Sequence, residues 1–363
     1  MESFKNFFGT RQGIIFVGLV IGVIAPLLQS LGNPGNMGIC VACMERDIAG
    51  ALGLHRASLV QYMRPEIIGL VLGAFLSSLI FSEYKPRGGS ATFIRFILGI
   101  FAMIGALVFL GCPWRTILRL AGGDGNALFG LLGLVFGIWV GTRFLKAGYS
   151  LGRTQPAPSK AVGAAFPLLM FGFLILLLID PQPEGENRGM LLFYSLKGPG
   201  SQHAPLIVSL SAGLLIGFLA QRSRFCTMGA FRDLILFKQT HLFLGVLAFF
   251  VSAFVTNLIL GQFHAGFEKQ PIAHTMQIWN FLGMTLAGLA FTLAGGCPGR
   301  QLFMAAEGDT DAAIFASGMI IGAAVAHNFG LASSPAGIGP NGAIATIIGL
   351  IVCLIIGFTM RRR

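Results

Sequence analysis

Charge is scarce in this sequence. Asp, Glu, Lys and Arg make up 11% of the 363 residues, less than half the share usual in soluble domains. Hydrophobic types make up 55%, and the mean hydropathy is +0.78. So few charged side chains cannot cover the surface of a soluble globule of this size. The composition therefore excludes a soluble enzyme and a disordered chain, and it indicates an integral membrane protein.

Other signatures are also missing. Six Cys do not form a framework of the secreted, disulfide-bonded type. No nucleotide-binding glycine motif and no Ser/His/Asp signature stands out, and the basic residues form no dense block for nucleic acid. No cleavable signal is visible, because the first apolar run, 12–31, is long enough to stay as a span. We expect no enzyme activity, cofactor, metal or nucleic-acid partner.

Ten apolar runs approach the roughly 20 residues that a helix needs to cross a bilayer. They lack the period-two alternation of β-barrel strands. The sequence therefore predicts an all-α polytopic membrane protein with about ten spanning helices. The predicted spans are 12–31, 64–82, 93–111, 126–145, 162–180, 203–220, 241–262, 278–296, 312–328 and 341–360.

The distribution of basic residues predicts that both termini are cytoplasmic, because Lys and Arg are enriched in cytoplasmic loops. The loop DPQPEGENRG after the fifth span is acidic on balance, and 329–340 has no charge. The exception is an outer segment with Arg46, Arg56 and Arg64. The predicted cytoplasmic basic residues are Lys5, Arg11, Lys85, Arg87, Arg143, Lys146, Arg153, Lys160, Arg222, Arg224, Arg232, Lys238, Arg361, Arg362 and Arg363.

Four short segments, 37–54, 111–124, 222–237 and 296–309, are too brief or too polar to span, and each contains Cys, Arg and Asp. GCPWRTILRLAGGD and GCPGRQLFMAAEGD match at seven of fourteen positions. The other two match at Cys40/Cys226, Arg46/Arg232 and Asp47/Asp233. Offsets of 185 and 186 indicate an internal duplication.

Each half then has five spans and two re-entrant segments, and an odd number of spans inverts the second half. The predicted division is 1–181, a linker at 182–202, and 203–363. Inverted repeats with broken helices are typical of transporters whose site lies near the bilayer midplane. Pro113 and Pro298 suit the first turn of a short helix, whose N-terminus favours an anion.

Four cysteines occupy equivalent places in the duplicated segments: Cys40, Cys112, Cys226 and Cys297. A lone membrane Cys is usually a small packing residue, and we interpret Cys353 and, for the most part, Cys43 in that way. Four equivalent thiols are better explained as soft contacts for a sulfur or selenium anion. Zinc is the competing ligand, but Cys40–Cys43 is the only CxxC pair and none of the four is followed by a nearby His.

Four arginines accompany these cysteines and are candidates to attract the anion: Arg46, Arg115, Arg232 and Arg300. The alternative is a structural ion pair, because charges within the membrane must be paired. For Arg46 and Arg232 the adjacent Asp makes both interpretations equally good, whereas the position of Arg115 and Arg300 after Cys-Pro favours an anion-facing role. The acids Asp47, Asp124, Asp233 and Asp309 are interpreted as structural.

The GCPxR…GD blocks and the paired C-x5-RD blocks resemble the YeeE/YedE family of bacterial inner-membrane sulfur transporters over nearly the whole chain. The resemblance implies a row of central cysteines that pass thiosulfate along by S–H···S hydrogen bonds: Cys40, Cys112, Cys226 and Cys297. GICVACMERD and RSRFCTMGAFRD are more similar to the YedE branch, which is linked to selenium metabolism. A small sulfur-carrier protein of the TusA type is an implied partner.

The leading hypothesis is therefore a transporter for a small soft chalcogen anion, either thiosulfate or a selenium compound. A membrane thiol redox enzyme or relay that uses Cys40 and Cys43 is the second hypothesis, and a purely structural permease subunit is the third. Soft thiols suit sulfur and selenium alike, so the sequence leaves the substrate open, and it leaves the driving force and the oligomeric state open as well.

Overall fold

The computed structural model describes residues 7–361, so the predicted cytoplasmic charges at Lys5, Arg362 and Arg363 lie outside the described residues. Helix dominates this part of the chain. The sheet is limited to β1 (Arg87–Gly88) and β2 (Gln155–Pro156), which pair antiparallel. With nine long apolar helices, this architecture confirms the prediction of an all-α polytopic membrane protein.

The helices fall into two series with the same order of long and short members. The first series is α1 (Arg11–Ser30), α2 (Val41–Ala51), α3 (Pro65–Ile80), α4 (Thr92–Phe109), α5 (Pro113–Ala121), α6 (Asn126–Lys146) and α7 (Lys160–Ile179). The second series is α8 (Leu206–Ser223), α9 (Thr227–Phe237), α10 (His241–Ile259), α11 (Gln277–Ala294), α12 (Pro298–Ala306), α13 (Thr310–Asn328) and α14 (Gly342–Thr359). A 3₁₀ turn, Pro199–Ser201, lies between the two series.

Nine of the predicted spans correspond to helices of 18 residues or more in the described chain. The tenth, 64–82, is the apolar helix α3, which has only 16 residues and is therefore about 24 Å long. It begins at Pro65, after the extended Arg64, because a residue that precedes proline is disfavoured in the helical region. This span is thus shorter than the sequence predicts.

The four segments predicted not to span form the short helices α2, α5, α9 and α12, of 11, 9, 11 and 9 residues. At 1.5 Å per residue they reach only about 14–17 Å, roughly half the thickness of the hydrocarbon layer. Each is preceded at its N-cap by one of the four equivalent cysteines. The fold thus brings a helix N-terminus to every one of these thiols.

Helix packing between the two series is reciprocal. Helix α1 packs on α10 and its counterpart α8 packs on α3. In the same way α6 packs on α11 while α13 packs on α4, and α4 packs on α11 directly. Each contact therefore has a counterpart in which the two halves are exchanged, as a pseudo-two-fold axis would require. The opposite membrane orientation of the halves stays a prediction.

Glycine makes the closest of these helix contacts possible. A Cβ at Gly137 of α6 would lie 2.1 Å from the carbonyl oxygen of Thr285 in α11. At Gly217 of α8 it would lie 2.1 Å from the carbonyl oxygen of Leu70 in α3. Small residues at such crossings let helix backbones touch inside a membrane, where dispersion replaces the hydrophobic effect.

Leucine at Gly137 or at Gly217 is therefore expected to reduce the yield of folded protein sharply, because overpacking at a rigid contact costs about 1–3 kcal/mol or more. Gly172 in α7 is the matched control, because a Cβ there meets nothing within 4 Å. Size-exclusion profiles of the three variants in detergent measure the effect. Equal yields for all three would contradict this view of the packing.

Candidate functional site

The four equivalent cysteines form two thiol pairs. The Cys40 thiol donates to Cys112 with 3.7 Å between the sulfur atoms, and the Cys226 thiol donates to Cys297 with 3.6 Å. Within residues 7–361 no hydrogen bond joins one pair to the other. Cys40 and Cys112 are called the first pair below, and Cys226 and Cys297 the second pair.

Local chain geometry fixes both pairs at helix N-termini. Cys40 and Cys226 cap α2 and α9, and their sulfur atoms accept the backbone N–H of Cys43 at 3.4 Å and of Gly229 at 3.2 Å. Cys112 and Cys297 occupy the N-cap positions of α5 and α12 in extended backbone conformation. Since helix N-termini carry a partial positive charge, the two pairs lie where negative charge is stabilised.

Arg115 adds a full positive charge beside the first pair. Its guanidinium is completely buried, and Nη1 lies 3.6 Å from the sulfur of Cys43. It donates to the carbonyl oxygens of Asn36, Leu110, Pro271 and Ile272. In the described chain no carboxylate pairs with it, so its charge is held by neutral dipoles and is suited to an anion.

Cys43 lies at the candidate site, although its sequence predicts mostly a packing role. Its thiol is fully buried beside the first pair and contacts Arg115. The CxxC spacing was the available signal, because residues three apart share a helix face and Cys40 is the N-cap of the helix that contains Cys43.

Arg300, the counterpart of Arg115, lies in a different environment. Its side chain is 15% exposed and donates from Nη1 to Glu307 at 3.1 Å. The acid of its own motif, Asp309, accepts from Arg87 instead, at 3.0 Å. Asp124 likewise binds Arg119, at 2.6 Å. Arg115 is therefore enclosed by the protein, whereas the equivalent Arg300 is partly exposed.

Arg46 and Arg232 are both held by the adjacent aspartate. Arg46 donates to Asp47 at 2.7 Å and Arg232 donates to Asp233 at 2.8 Å. Asp47 also accepts from Arg64 at 2.7 Å, and both of those side chains are fully buried. Arg64 is a partner that the sequence analysis placed only among the exceptions to the charge bias. Arg46, Arg64 and Arg232 therefore all form ion pairs with aspartates.

A cavity of about 590 Å³ borders Cys226 of the second pair. Cys226 lines it and is 5% exposed, whereas the other three equivalent cysteines are at most 1% exposed. We call this cavity the vestibule. Its charged lining residues are Arg222, Arg224, Arg232, Arg300, Glu83 and Asp233.

Glu83 is hydrogen-bonded to Arg222 and Gln221. Burial raises the pKa of this carboxyl, but hydrogen bonds from Arg222 and Gln221 outweigh that effect and hold its pKa below the usual value. The carboxylate therefore stays charged and balances Arg222. Four arginines against two acids leave the vestibule positive on balance.

Within residues 7–361 the first pair is closed off, because Cys40 and Cys112 are at most 1% exposed. Gly38, two residues before Cys40, is packed so tightly that a Cβ there would lie 2.2 Å from the carbonyl oxygen of Ala25. Its counterpart in the duplication is Arg224, which lines the vestibule. Across residues 7–361, no group of three or more His, Cys, Asp or Glu side chains is placed to hold a metal ion.

Comparison with known proteins connects this arrangement to sulfur transport. A family model described as "Sulphur transport" matches residues 222–359, which contain the second pair. The probable transporter YedE of Escherichia coli is 24% identical over 273 residues, 71% of this chain and 63% of the relative. The thiosulfate transporter TsuA of Spirochaeta thermophila is 35% identical over 103 residues, 28% of this chain and 31% of the relative.

A second thiosulfate transporter TsuA, from Escherichia coli, is 30% identical over 104 residues, 28% of this chain and 29% of that protein. The matched regions of these three relatives thus span less than two thirds of their length.

Proposed function

We propose that this chain, which is similar to transporters of the YeeE/YedE family, transports a small, soft chalcogen anion across the membrane along its two thiol pairs. The observation that carries the proposal is the placement of Cys40/Cys112 and Cys226/Cys297 as hydrogen-bonded pairs at four helix N-termini. The thiols supply weak, polarisable donors and the helix ends supply positive potential without net charge.

The vestibule provides the entry or exit for the anion. Its positive lining concentrates anions near the second pair, as clefts of one charge sign do. Cys226 is the first thiol that an anion meets, and Cys297 lies 3.6 Å behind it. Neutral thiols bind the ion more weakly than arginine, so the ion is able to leave again, as conduction requires.

The buried position of Arg115 supports a role as the charge that receives the anion at the first pair. Its carbonyl partners are dipoles, which an anion replaces without leaving a carboxylate unpaired. Arg300 receives the anion at the second pair in the same way when it releases Glu307 and binds the substrate instead. In this proposal Arg46 and Arg232 act at longer range, since each is bound to its aspartate.

Opposite surroundings of equivalent residues support an alternating-access cycle. Arg300 faces an open vestibule whereas Arg115 is closed over by the 271–272 loop. In transporters built from inverted repeats, the two halves exchange such conformations during the cycle. We therefore propose that the halves 1–181 and 203–363 are inverted repeats joined by 182–202, and that the outward-open state has an exposed Cys40 and a buried Cys226.

Orientation follows from the basic residues. The vestibule contains Arg222, Arg224 and Arg232, which lie in segments predicted to be cytoplasmic. We propose that the described conformation is open to the cytoplasm of a bacterial inner membrane, with both termini on that side. A sulfur-carrier protein of the TusA type remains a predicted partner at this face.

Uptake by purified protein tests the proposal. Liposomes that contain the protein are expected to accumulate radiolabelled thiosulfate, and unlabelled selenite or a selenide donor is expected to compete if the pathway accepts selenium. Sulfate, a hard oxyanion, is the matched competitor that we expect to be weak. Uptake no greater than that of empty liposomes would contradict transport. Thiol trapping in the same samples tests the redox alternative, which requires a disulfide form.

A further inference from the structure

Trp114 lies where the two halves meet. It follows Pro113 in the first turn of α5 and is 1% exposed. Its counterpart in the duplication is Gly299, in the first turn of α12. A Cβ at Gly299 would lie 3.2 Å from Cζ2 of Trp114. The indole of one half therefore fills the space that glycine leaves open in the other half.

Three phenylalanine rings surround this indole. The ring centroids of Phe225, Phe249 and Phe303 lie 5.8, 6.1 and 6.3 Å from that of Trp114. Phe225 directly precedes Cys226, and Phe303 is in α12, which starts after Cys297. A residue from the helix of the first pair thus packs against Phe225, the neighbour of Cys226, and against Phe303 in the helix that Cys297 caps. We call these four rings the aromatic cluster.

The indole N–H of Trp114 is an exception to normal hydrogen bonding. The atom Nε1 is buried and has no hydrogen-bond partner within residues 7–361. Buried donors are almost always paired, and leaving one unpaired is costly. Phenylalanine would fill similar space at this position without this cost. An unpaired donor next to an anion pathway is explained by a ligand that accepts from it.

We propose that Trp114 closes the passage between the two thiol pairs in this conformation, and that its indole N–H donates a hydrogen bond to the anion as the anion crosses. This inference rests on the transport function proposed above. A neutral donor suits the step between the pairs, because it replaces part of the hydration of the ion without trapping it as a second buried cation would.

Thiol accessibility tests the closure without relying on transport. In a variant whose only cysteine is Cys112, a charged, membrane-impermeant methanethiosulfonate reagent added from the vestibule side is expected to leave Cys112 unmodified. Adding Trp114→Ala is expected to make Cys112 reactive from that side. Trp139→Ala is the matched control, because Trp139 is 41% exposed on the outer surface of α6. Protection of Cys112 in the Trp114→Ala protein would overturn the closure.

Trp114→Phe removes the indole N–H but keeps an aromatic ring at this position. This variant is expected to keep Cys112 protected while thiosulfate uptake falls by about tenfold, the loss of one hydrogen bond to a charged group. Uptake at the wild-type rate would overturn the hydrogen-bond role. If the Trp114→Ala protein elutes as an aggregate, Trp114→Leu replaces it, because leucine keeps apolar packing in less volume. A wild-type protein without thiosulfate uptake would count against the proposed function and leave the labelling result valid.

Discussion

Alanine in place of any one of Cys40, Cys112, Cys226 or Cys297 is expected to lower thiosulfate uptake by about tenfold to a hundredfold. The expected size corresponds to one lost hydrogen bond to a charged group. Each thiol also holds its partner, since the sulfur atoms within a pair are 3.7 and 3.6 Å apart. The loss of one sulfur therefore disturbs two successive contacts of the anion. Initial uptake rates in proteoliposomes, normalised to the amount of inserted protein, measure the effect.

Cys353→Ala is the control for this series. Cys353 is at least as buried as the four equivalent cysteines but lies inside the long helix α14 rather than at a helix N-terminus, so its variant should transport normally. Serine at the four positions distinguishes hydrogen-bonded transport from a thiol redox relay, because a hydroxyl donates a hydrogen bond but performs no thiol redox step. We expect partial uptake with serine. Serine variants as inactive as the alanine variants, together with a trapped disulfide, would favour the redox relay.

Much of the fold was predictable because apolar runs and repeated motifs are properties of the sequence itself. The duplicated motifs align Cys40 with Cys226, and in the structure each lies at the N-cap of an 11-residue helix. The length of α3 was harder to predict from the sequence. The predicted span includes 64 and 81–82, but Pro65 fixes the start of the helix and the chain turns after Ile80.

The partners of the charged residues were harder to predict, because they depend on which side chains converge from distant segments. Arg64 reaches Asp47 across seventeen residues, and Glu307 rather than Asp309 accepts from Arg300. The different surroundings of equivalent residues in the two halves were equally hard to predict. Arg115 and Arg300 occupy the same place in their motifs, yet one is enclosed by carbonyl groups and the other faces a cavity. Because the two motifs are nearly the same, the sequence does not reveal which half is closed and which half is open.

Asparagine in place of Asp47 is expected to destabilise the protein strongly. Asp47 is fully buried and accepts from two buried arginines, Arg46 and Arg64. Removing one partner of a buried ion pair costs about 3–5 kcal/mol, because the remaining charge is left uncompensated. Arg64 also donates to the carbonyl oxygens of Pro199 and Gln202, so the loss extends to the segment that joins the two halves. Thermal unfolding in detergent measures the change.

The duplication provides the matched control, Asp233→Asn. Asp233 binds Arg232 at a similar distance, but these side chains are 19% and 31% exposed, against 0% and 3% for Asp47 and Arg46. Water solvates the charges at the second position, so the same substitution there should cost less than about 1 kcal/mol. If Asp233→Asn lowers the unfolding temperature as much as Asp47→Asn, burial is not what makes the Asp47–Arg46 ion pair important. A large difference would mean that equivalent motifs became a rigid anchor in one half and part of a solvated vestibule in the other.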